Sequence, residues 1–220
     1  MGAQNGVKKV LYASTSSLYG NNPMPLTEDQ RVTPPNHYAV TKQVYEHAGR
    51  CFNQVYPQVE VIGFRFMSIY GPNEEAKGKY ANLISQFCWD MARNLPPVIY
   101  GDGTQFRDFT NVRDVVQALT KAIETEKKIG ADVFNIGTDR ATSLNQIVAA
   151  LNKAFGKNIQ PTYIENPVKE GYVKGQHADI SKIREVLGYE PTVTLEVGIQ
   201  EQVDQLRMDR IRKTSSDELR

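Results

Sequence analysis

Strand and helix signals alternate along this chain, and this alternation constrains the fold more than any other feature of the sequence. Short apolar runs bounded by turn residues predict strands, whereas longer stretches with apolar residues three and four apart predict helices. Alternation of this kind is typical of an α/β domain built on a parallel sheet. The predicted strands are 8–14, 59–67, 98–100, 132–136 and 162–164, and the predicted helices are 37–56, 79–94, 112–126, 143–155, 181–187 and 195–208.

Charge and cysteine content exclude several classes of protein. Among 220 residues, 26 lysines and arginines nearly balance 25 aspartates and glutamates, so neither nucleic acid nor a membrane is expected as a partner. There is no apolar run of the ~20 residues that span a bilayer and no secretory signal, so a cytoplasmic location is expected. The histidines are scattered, so no metal site is expected. Cys51 and Cys88 lie on apolar stripes of predicted helices and are expected to be buried thiols.

Tyr38 and Lys42 lie four residues apart in the predicted helix 37–56 and therefore share one face of it. An ammonium beside a phenol favours the phenolate and lowers the phenol's pKa from about 10, which yields a plausible general base at neutral pH. The alternative is a chance pair on a solvated helix. Both residues lie about 115° from the centre of the helix's apolar stripe, so they line a cleft beside the core or face water. The stripe consists of Val44, Ala48, Cys51, Phe52 and Val55.

A cluster of hydroxyl residues, Ser14–Ser17, lies at the end of the predicted strand 8–14. Ligands of open α/β sheets bind outside the carboxyl ends of the strands. A hydroxyl there can bond to a substrate oxygen that a nearby tyrosine protonates or deprotonates. The alternative is an ordinary turn rich in serine and threonine.

The order of this cluster, Tyr19-Gly20 and the Tyr38/Lys42 pair resembles the extended short-chain dehydrogenase/reductase family, the NAD-dependent nucleotide-sugar epimerases and dehydratases. The likeness to enzymes of the UDP-glucose 4-epimerase kind runs from about residue 7 to residue 207. Further segments that match the family in order are Arg65–Pro72, Tyr100–Val115, Phe134–Gly137, Ala178–Lys182 and Leu187–Pro191.

The resemblance implies an α/β fold with a partial Rossmann-like parallel sheet, the C-terminal half of the family's sheet, and a small α/β substrate-binding subdomain. Residues 1–72 and 110–140 are expected to form the Rossmann-like part. Residues 73–109 and 141–208 are expected to bind substrate, and 209–220 to form a flexible tail.

The resemblance also assigns the acid/base chemistry. Tyr38 aligns with the family's acid/base residue, and Lys42 with the lysine that supports it and contacts the nicotinamide ribose. Thr15 aligns with the catalytic serine or threonine, and its neighbours Ser14, Ser16 and Ser17 are the alternatives if the alignment shifts by one residue.

Substrate contacts are expected from three further residues. Arg107 lies in the segment that resembles the nucleotide-sugar loop, and a guanidinium forks onto phosphate oxygens; the alternative is a surface pair with Asp108. Ser68 stands where the family usually has an asparagine, and its hydroxyl has shorter reach. Ser16 is the third candidate. The expected ligand is a nucleotide-diphosphate sugar.

Positions 16 and 17 help to separate reaction types within the family. By resemblance, sugar 4,6-dehydratases carry an Asp-Glu pair after the threonine, and the decarboxylases carry a glutamate two residues after it. This chain has Ser16 and Ser17, so no carboxyl group is available to expel a hydroxyl. An epimerase or a simple dehydrogenase is favoured, since epimerisation needs only reversible hydride transfer and one proton shuttle.

The family's Gly-x-x-Gly-x-x-Gly turn, which seats the pyrophosphate of NAD, has no counterpart in this sequence. The chain therefore resembles the family without its first half-sheet, and weak or absent NAD binding is expected. Either it is a truncated chain that is inactive alone, or it works differently from its relatives. The alternatives are a non-catalytic domain that binds nucleotide sugars or a partner, and one half of a complementing pair. A homo-oligomer is also possible.

Overall fold

The structure is a computed structural model that describes residues 3–167 and 173–217, with side chains described for 4–167 and 173–208. Three short 3₁₀ helices cover Ala3–Asn5, Ser16–Tyr19 and Glu75–Tyr80. The strands are β1 (Lys9–Thr15), β2 (Glu60–Phe66), β3 (Ser68–Tyr70), β4 (Val98–Tyr100), β5 (Phe106–Arg107), β6 (Phe109–Asn111), β7 (Ala131–Ile136), β8 (Thr142–Ser143) and β9 (Thr162–Ile164). The helices are α1 (His37–Val55), α2 (Leu83–Ala92), α3 (Val112–Glu124), α4 (Leu144–Phe155), α5 (Ser181–Leu187) and α6 (Leu195–Asp217).

Strands β1, β2 and β7 form a parallel sheet with β2 in the middle. Their carboxyl ends lie level, because Thr15 pairs with Phe66 and Phe66 pairs with Ile136. Side chains of β2 alternate between the two faces of the sheet. One face carries Ile62 and Phe64, which pack in an apolar core. The predicted α/β class with a parallel sheet is confirmed.

Apolar side chains collect in two separate cores. The first lies on the face of the sheet that Ile62 and Phe64 occupy, and α3 and α5 cover it. The second packs α2, α4 and the first turns of α6 against one another. The residues of the second core are Tyr70, Ile84, Phe87, Cys88, Met91, Ile99, Phe109, Leu144, Ile147, Val148, Leu151, Ile199 and Val203. The boundaries predicted for the two parts of the chain stay a prediction.

Three two-stranded ladders lie outside the main sheet. Strands β3 and β6 pair in parallel, as do β4 and β9, whereas β5 and β8 are antiparallel. The β3–β6 ladder directly continues the carboxyl edge of the main sheet, since β3 follows β2 after a single residue.

Helix boundaries follow their capping residues. Asn111 caps α3, and Ser143 caps α4 in a full capping box with Gln146. The predicted helix 79–94 is shorter and begins after Asn82, whose side chain accepts from the Ile84 amide. Helix α6 continues past residue 208, where its end was expected; the flexibility predicted for 209–220 stays a prediction.

In the two described ranges, no helix is long and apolar enough to cross a bilayer.

Helix α1 lies on the sheet in an unexpected orientation. Its apolar stripe faces solvent, with Val44 57% and Val55 68% exposed. Its buried residues are Ala39, Glu46 and Gly49. The expectation that Cys51 is a buried thiol is therefore wrong, because Cys51 is exposed on this stripe, whereas the buried position of Cys88 is confirmed.

The close approach of α1 to the sheet explains this orientation. A Cβ atom added to Gly49 would lie 3.0 Å from Val61 Cγ1 and 3.4 Å from Tyr12 Cε1. Such close packing leaves room only for small side chains or for a polar side chain whose hydrogen bonds are satisfied by the sheet. Glu46 is such a residue, since it binds Ser14 and Arg65.

Candidate functional site

Helix α1 runs antiparallel to β1 and extends past the end of this strand. Gly49 lies near Tyr12, and Glu46 one turn earlier contacts Ser14. Moving towards the start of α1 therefore means moving towards the carboxyl end of β1. Tyr38 lies two turns before Glu46, about 12 Å along the helix axis. This direction takes the tyrosine to the edge of the sheet where Thr15 ends its strand.

Lys42 lies between the sheet and two exposed tyrosines. Its Nζ donates to the carbonyl oxygen of Ala13 at 2.9 Å. The same ammonium lies 5.8 Å from the centre of the Tyr38 ring and 5.3 Å from that of Tyr45. Tyr38 is 55% exposed, so its ring is open to a ligand. The structure therefore brings the predicted pair together at the carboxyl edge of the sheet.

The hydroxyl cluster divides into residues with different partners. Thr15 Oγ1 accepts from the Ser17 amide and so caps the 3₁₀ helix that begins there. Its hydroxyl keeps one donor and one lone pair for a ligand. Ser16 Oγ lies 3.3 Å from Gln176 Oε1, and the Gln176 amide donates to the Ser16 carbonyl. Ser14 points instead to α1, where it donates to Glu46.

Arg107 is linked to the hydroxyl cluster by the segment Val173–Gln176. Its guanidinium donates to the carbonyl oxygens of Phe106, Val173 and Lys174. Phe106 also forms a parallel bridge with Gly175, and the next residue, Gln176, contacts Ser16. A stretch of four residues thus spans the distance between Arg107 and the end of β1.

Asp108 does not form the exposed pair with Arg107 that the sequence left open, because it is fully buried. Its carboxylate accepts from the Thr138 amide at 2.8 Å, from the Thr138 hydroxyl at 2.7 Å and from the Asp139 amide at 3.1 Å. Burial raises the pKa of this carboxyl group, and these hydrogen bonds oppose the shift. Asp108 therefore anchors the loop after β7.

Ser68 is held next to this loop. It is the first residue of β3, and its amide donates to the Asp108 carbonyl at 2.9 Å. Strand β3 pairs with β6 from Ser68 and Phe109 onwards. Because Phe66 pairs with Thr15, Ser68 lies just beyond the carboxyl edge on which the hydroxyl cluster sits.

A groove of about 190 Å³ opens between α2 and β4. Three of its apolar side chains are strongly exposed: Leu83 at 38%, Val98 at 48% and Tyr100 at 46%. Gln105 donates to the Tyr100 carbonyl and ties this wall to β5, which carries Arg107. The groove is lined by Leu83, Gln86, Phe87, Asp90, Val98, Tyr100, Gln105 and Leu144.

A buried polar network beneath the site was missed by sequence analysis. Glu46 and Arg65 form an ion pair at 2.9 Å with both side chains almost fully buried. Burial alone lowers the pKa of Arg65, but its bonds and charge interactions with Glu46 and Tyr19 outweigh this and raise it. The signals were an arginine inside the apolar run of β2 and a glutamate on the face of α1 that carries Tyr38.

No group of three or more histidine, cysteine, aspartate or glutamate side chains is placed to hold a metal ion within the described ranges. For a dinucleotide, the pyrophosphate needs an open helix N-terminus. In each of α1 to α4, one backbone amide of the first turn already donates to a capping side chain. These caps are Asn36 on Ala39, Asn82 on Ile84, Asn111 on Arg113 and Ser143 on Gln146.

Comparison with known proteins gives consistent matches. Residues 1–137 match the sequence profile of the "NAD dependent epimerase/dehydratase family". A UDP-glucuronate 4-epimerase from Thermodesulfobacterium geofontis is 33% identical over 201 residues, which are 90% of this chain and 59% of that protein.

Solved structures of epimerases share the fold. UDP-glucose 4-epimerase from Thermotoga maritima, in a structure with UDP-glucose, superposes with a TM-score of 0.86 at 32% identity over 94% of this chain and 66% of that one. UDP-glucuronic acid 4-epimerase from Bacillus cereus, with UDP-glucuronic acid and NAD, gives 0.83 at 30% identity over 94% and 64%. This chain thus spans about three fifths to two thirds of the length of these proteins.

Proposed function

This chain belongs to the NAD dependent epimerase/dehydratase family, and we propose that it forms the substrate-binding and acid/base part of a nucleotide-sugar epimerase. The observation that carries the proposal is the position of Lys42, which donates to Ala13 near the end of β1, with Tyr38 one turn earlier on α1 towards the end where Thr15 lies. A tyrosine and a lysine near a strand-end hydroxyl have the chemistry to move a sugar hydroxyl proton.

The substrate we propose is a UDP-sugar, lying along the carboxyl edge of the sheet. The exposed apolar walls of the groove at Val98 and Tyr100 suit a nucleobase. Gln105 ties that wall to the strand that carries Arg107, whose guanidinium suits the diphosphate. The sugar would then extend towards Ser68, Ser16 and Thr15.

The proton chemistry assigned to the chain is a single shuttle. Tyr38 would take the proton of a sugar hydroxyl on its phenolate oxygen and return it at the end of the reaction. Lys42 would stabilise the phenolate with its ammonium charge. The Thr15 hydroxyl would hold the same sugar oxygen. When bound, NAD would supply the hydride acceptor and donor that the family's reaction requires.

Tyr38 and Lys42 would contact only the nicotinamide end of NAD, and the sequence contains no Gly-x-x-Gly-x-x-Gly turn to seat the pyrophosphate. We therefore propose that the chain alone binds NAD weakly or not at all and shows no turnover by itself. Full activity would then need a complementing part or a homo-oligomer. A cytoplasmic location also remains part of this proposal.

Calorimetry with UDP and with NAD tests the binding part of this proposal. We expect saturable UDP binding and no NAD binding below about millimolar, which corresponds to about −4 kcal/mol. Arg107→Ala should weaken UDP binding by about 1.5–3 kcal/mol, the scale of a lost hydrogen bond to a charged group. The control is Arg113→Ala, which removes an exposed arginine paired with Glu201. Equal UDP affinity in wild type and Arg107→Ala, or a micromolar Kd for NAD, would contradict the assignment.

Tyr38→Phe tests the acid/base part in any catalytically complete form of the protein. We expect kcat to fall about 10²–10⁴-fold, the range for a lost general acid or base. Tyr45→Phe is the matched control, because Tyr45 lies on the same helix, is 54% exposed and also contacts the Lys42 ammonium. If Tyr38→Phe kept more than about a tenth of wild-type kcat, the residue would not be the proton shuttle.

A further inference from the structure

The hydrogen bond between Ser14 and Glu46 joins β1 to α1 directly beneath the candidate site. We propose that these two side chains are positioning residues, which set α1 against β1 so that Tyr38 meets a sugar hydroxyl held by Thr15. The inference rests on the proposed function, because it concerns the placement of the acid/base residue and not the stability of the fold.

The Glu46 carboxylate is held at several points. Its Oε1 accepts from Ser14 Oγ at 2.6 Å and from Arg65 Nε at 2.9 Å, and its Oε2 accepts from Arg65 Nη2 at 2.9 Å. Glu46 is 1% exposed, Ser14 2% and Arg65 4%. Hydrogen bonds that are directional and shielded from water hold a geometry more sharply than apolar contacts do.

Apolar packing contributes little to the register of α1. Its buried face offers only Ala39 and Gly49 besides Glu46, and its large apolar side chains point to solvent. The small residues allow α1 to lie close to the sheet, but no large apolar side chain of this helix fixes its register. The hydrogen bonds to the sheet therefore determine the position and rotation of α1.

Two such bonds act in tandem on the helix face that carries Tyr38. Lys42 donates to the Ala13 carbonyl, and Glu46 accepts from Ser14, so that consecutive residues of β1 hold consecutive turns of α1. Because α1 runs antiparallel to β1, the turn of the helix before Lys42, which carries Tyr38, lies towards the carboxyl end of the strand, where Thr15 follows Ser14. A shift at Glu46 would thus move the two reacting groups relative to each other.

Arg65 anchors the other end of this arrangement in the sheet. It lies on β2 and donates through Nη1 to Tyr19 Oη at 2.9 Å, and Tyr19 donates in turn to Asn135 on β7 at 2.7 Å. Burial raises the pKa of Tyr19 to about 12, although Arg65 opposes this shift, so its hydroxyl stays a donor. Arg65 and Tyr19 therefore link Glu46 by hydrogen bonds to both β2 and β7.

The test compares the affinities of UDP and UDP-glucose for the whole chain by calorimetry. Their ratio isolates the contribution of the sugar, which the region around Thr15, Ser16, Ser68 and Tyr38 would supply. In Ser14→Ala this ratio should fall about three- to tenfold, the scale of one misplaced hydrogen bond, while UDP binding stays unchanged. Glu46→Gln should lower the ratio at least as much.

Ser85→Ala is the matched control. Ser85 is also 2% exposed and also donates to a buried glutamate, Glu74, but in the second core. Both serine variants should lower the melting temperature to a similar extent, and only Ser14→Ala should lower the ratio. If Glu46→Gln fails to fold, Ser14→Ala still decides, because it leaves the Glu46–Arg65 ion pair intact.

Each outcome has a distinct meaning. An unchanged ratio in Ser14→Ala, or an equal fall in Ser85→Ala, would overturn the positioning role and leave the proposed function standing. Absence of UDP binding by the wild type would overturn the proposed function and this inference with it.

Discussion

Helices α1 and α4 contact the rest of the molecule through opposite kinds of surface. Helix α4 buries Leu144, Ile147, Val148 and Leu151 in the second core. Helix α1 buries Glu46 between two small residues and turns Val44, Phe52 and Val55 to solvent. Both helices are amphipathic in sequence, yet only one of them uses its apolar face.

The difference shows that one helix can mainly stabilise the fold while another mainly orients side chains. Burial of apolar side chains in α4 stabilises the second core without demanding one orientation, since hydrophobic burial is non-directional. Besides the packing of Ala39 and Gly49, α1 contacts the sheet through hydrogen bonds and one ion pair, which add little net stability but specify direction. The helix that carries Tyr38 and Lys42 is thus attached by the contacts that orient it.

Breaking the ion pair beneath α1 should have the largest effect. Arg65→Met leaves the Glu46 carboxylate buried without its cation, and we expect the free energy of unfolding in urea to fall by about 3–5 kcal/mol. The double variant Arg65→Met/Glu46→Leu should recover most of this loss, because it buries no charge. Equal losses in the single and double variants would show that the pair matters for packing and not for charge.

Truncating a side chain on the apolar face of α4 should have the second-largest effect on the free energy of unfolding. Leu151 is fully buried, and Leu151→Ala should lower the free energy of unfolding by about 2–5 kcal/mol through lost burial and the cavity left behind. Leu95→Ala is the control at an exposed leucine and should change it by no more than about 0.5 kcal/mol. A loss below about 1 kcal/mol at Leu151 would mean that the second core collapses around the gap.

Truncating the apolar face of α1 should have the smallest effect. Val44→Ala should change the free energy of unfolding by at most about 0.5 kcal/mol, because the side chain is exposed. Val148→Ala on α4 is the buried counterpart and should cost about 2 kcal/mol. The free energies of unfolding of both variants, measured in urea at two protein concentrations, check this prediction. A larger, concentration-dependent loss at Val44 would show that a second copy covers this face.

Much of the local structure was predictable from the sequence. Strand β1 and the shared face of Tyr38 and Lys42 depend on neighbouring residues only. The groove was not predictable, because Leu83, Val98 and Leu144 come from distant parts of the chain. Nor was the exposure of Cys51, because periodicity reveals an apolar stripe but not what covers it.

The sequence by itself determined the α/β alternation, the order of the strands along the chain and the family to which they belong, since these follow from local hydrophobic period and motif order. Only the tertiary structure decided which face of α1 meets the sheet. That choice depends on Ser14, Glu46 and Arg65, which lie far apart in the chain and form their bonds only when strand and helix are packed together. A buried charge is tolerated only where its partners are already in place, and no local pattern contains that information.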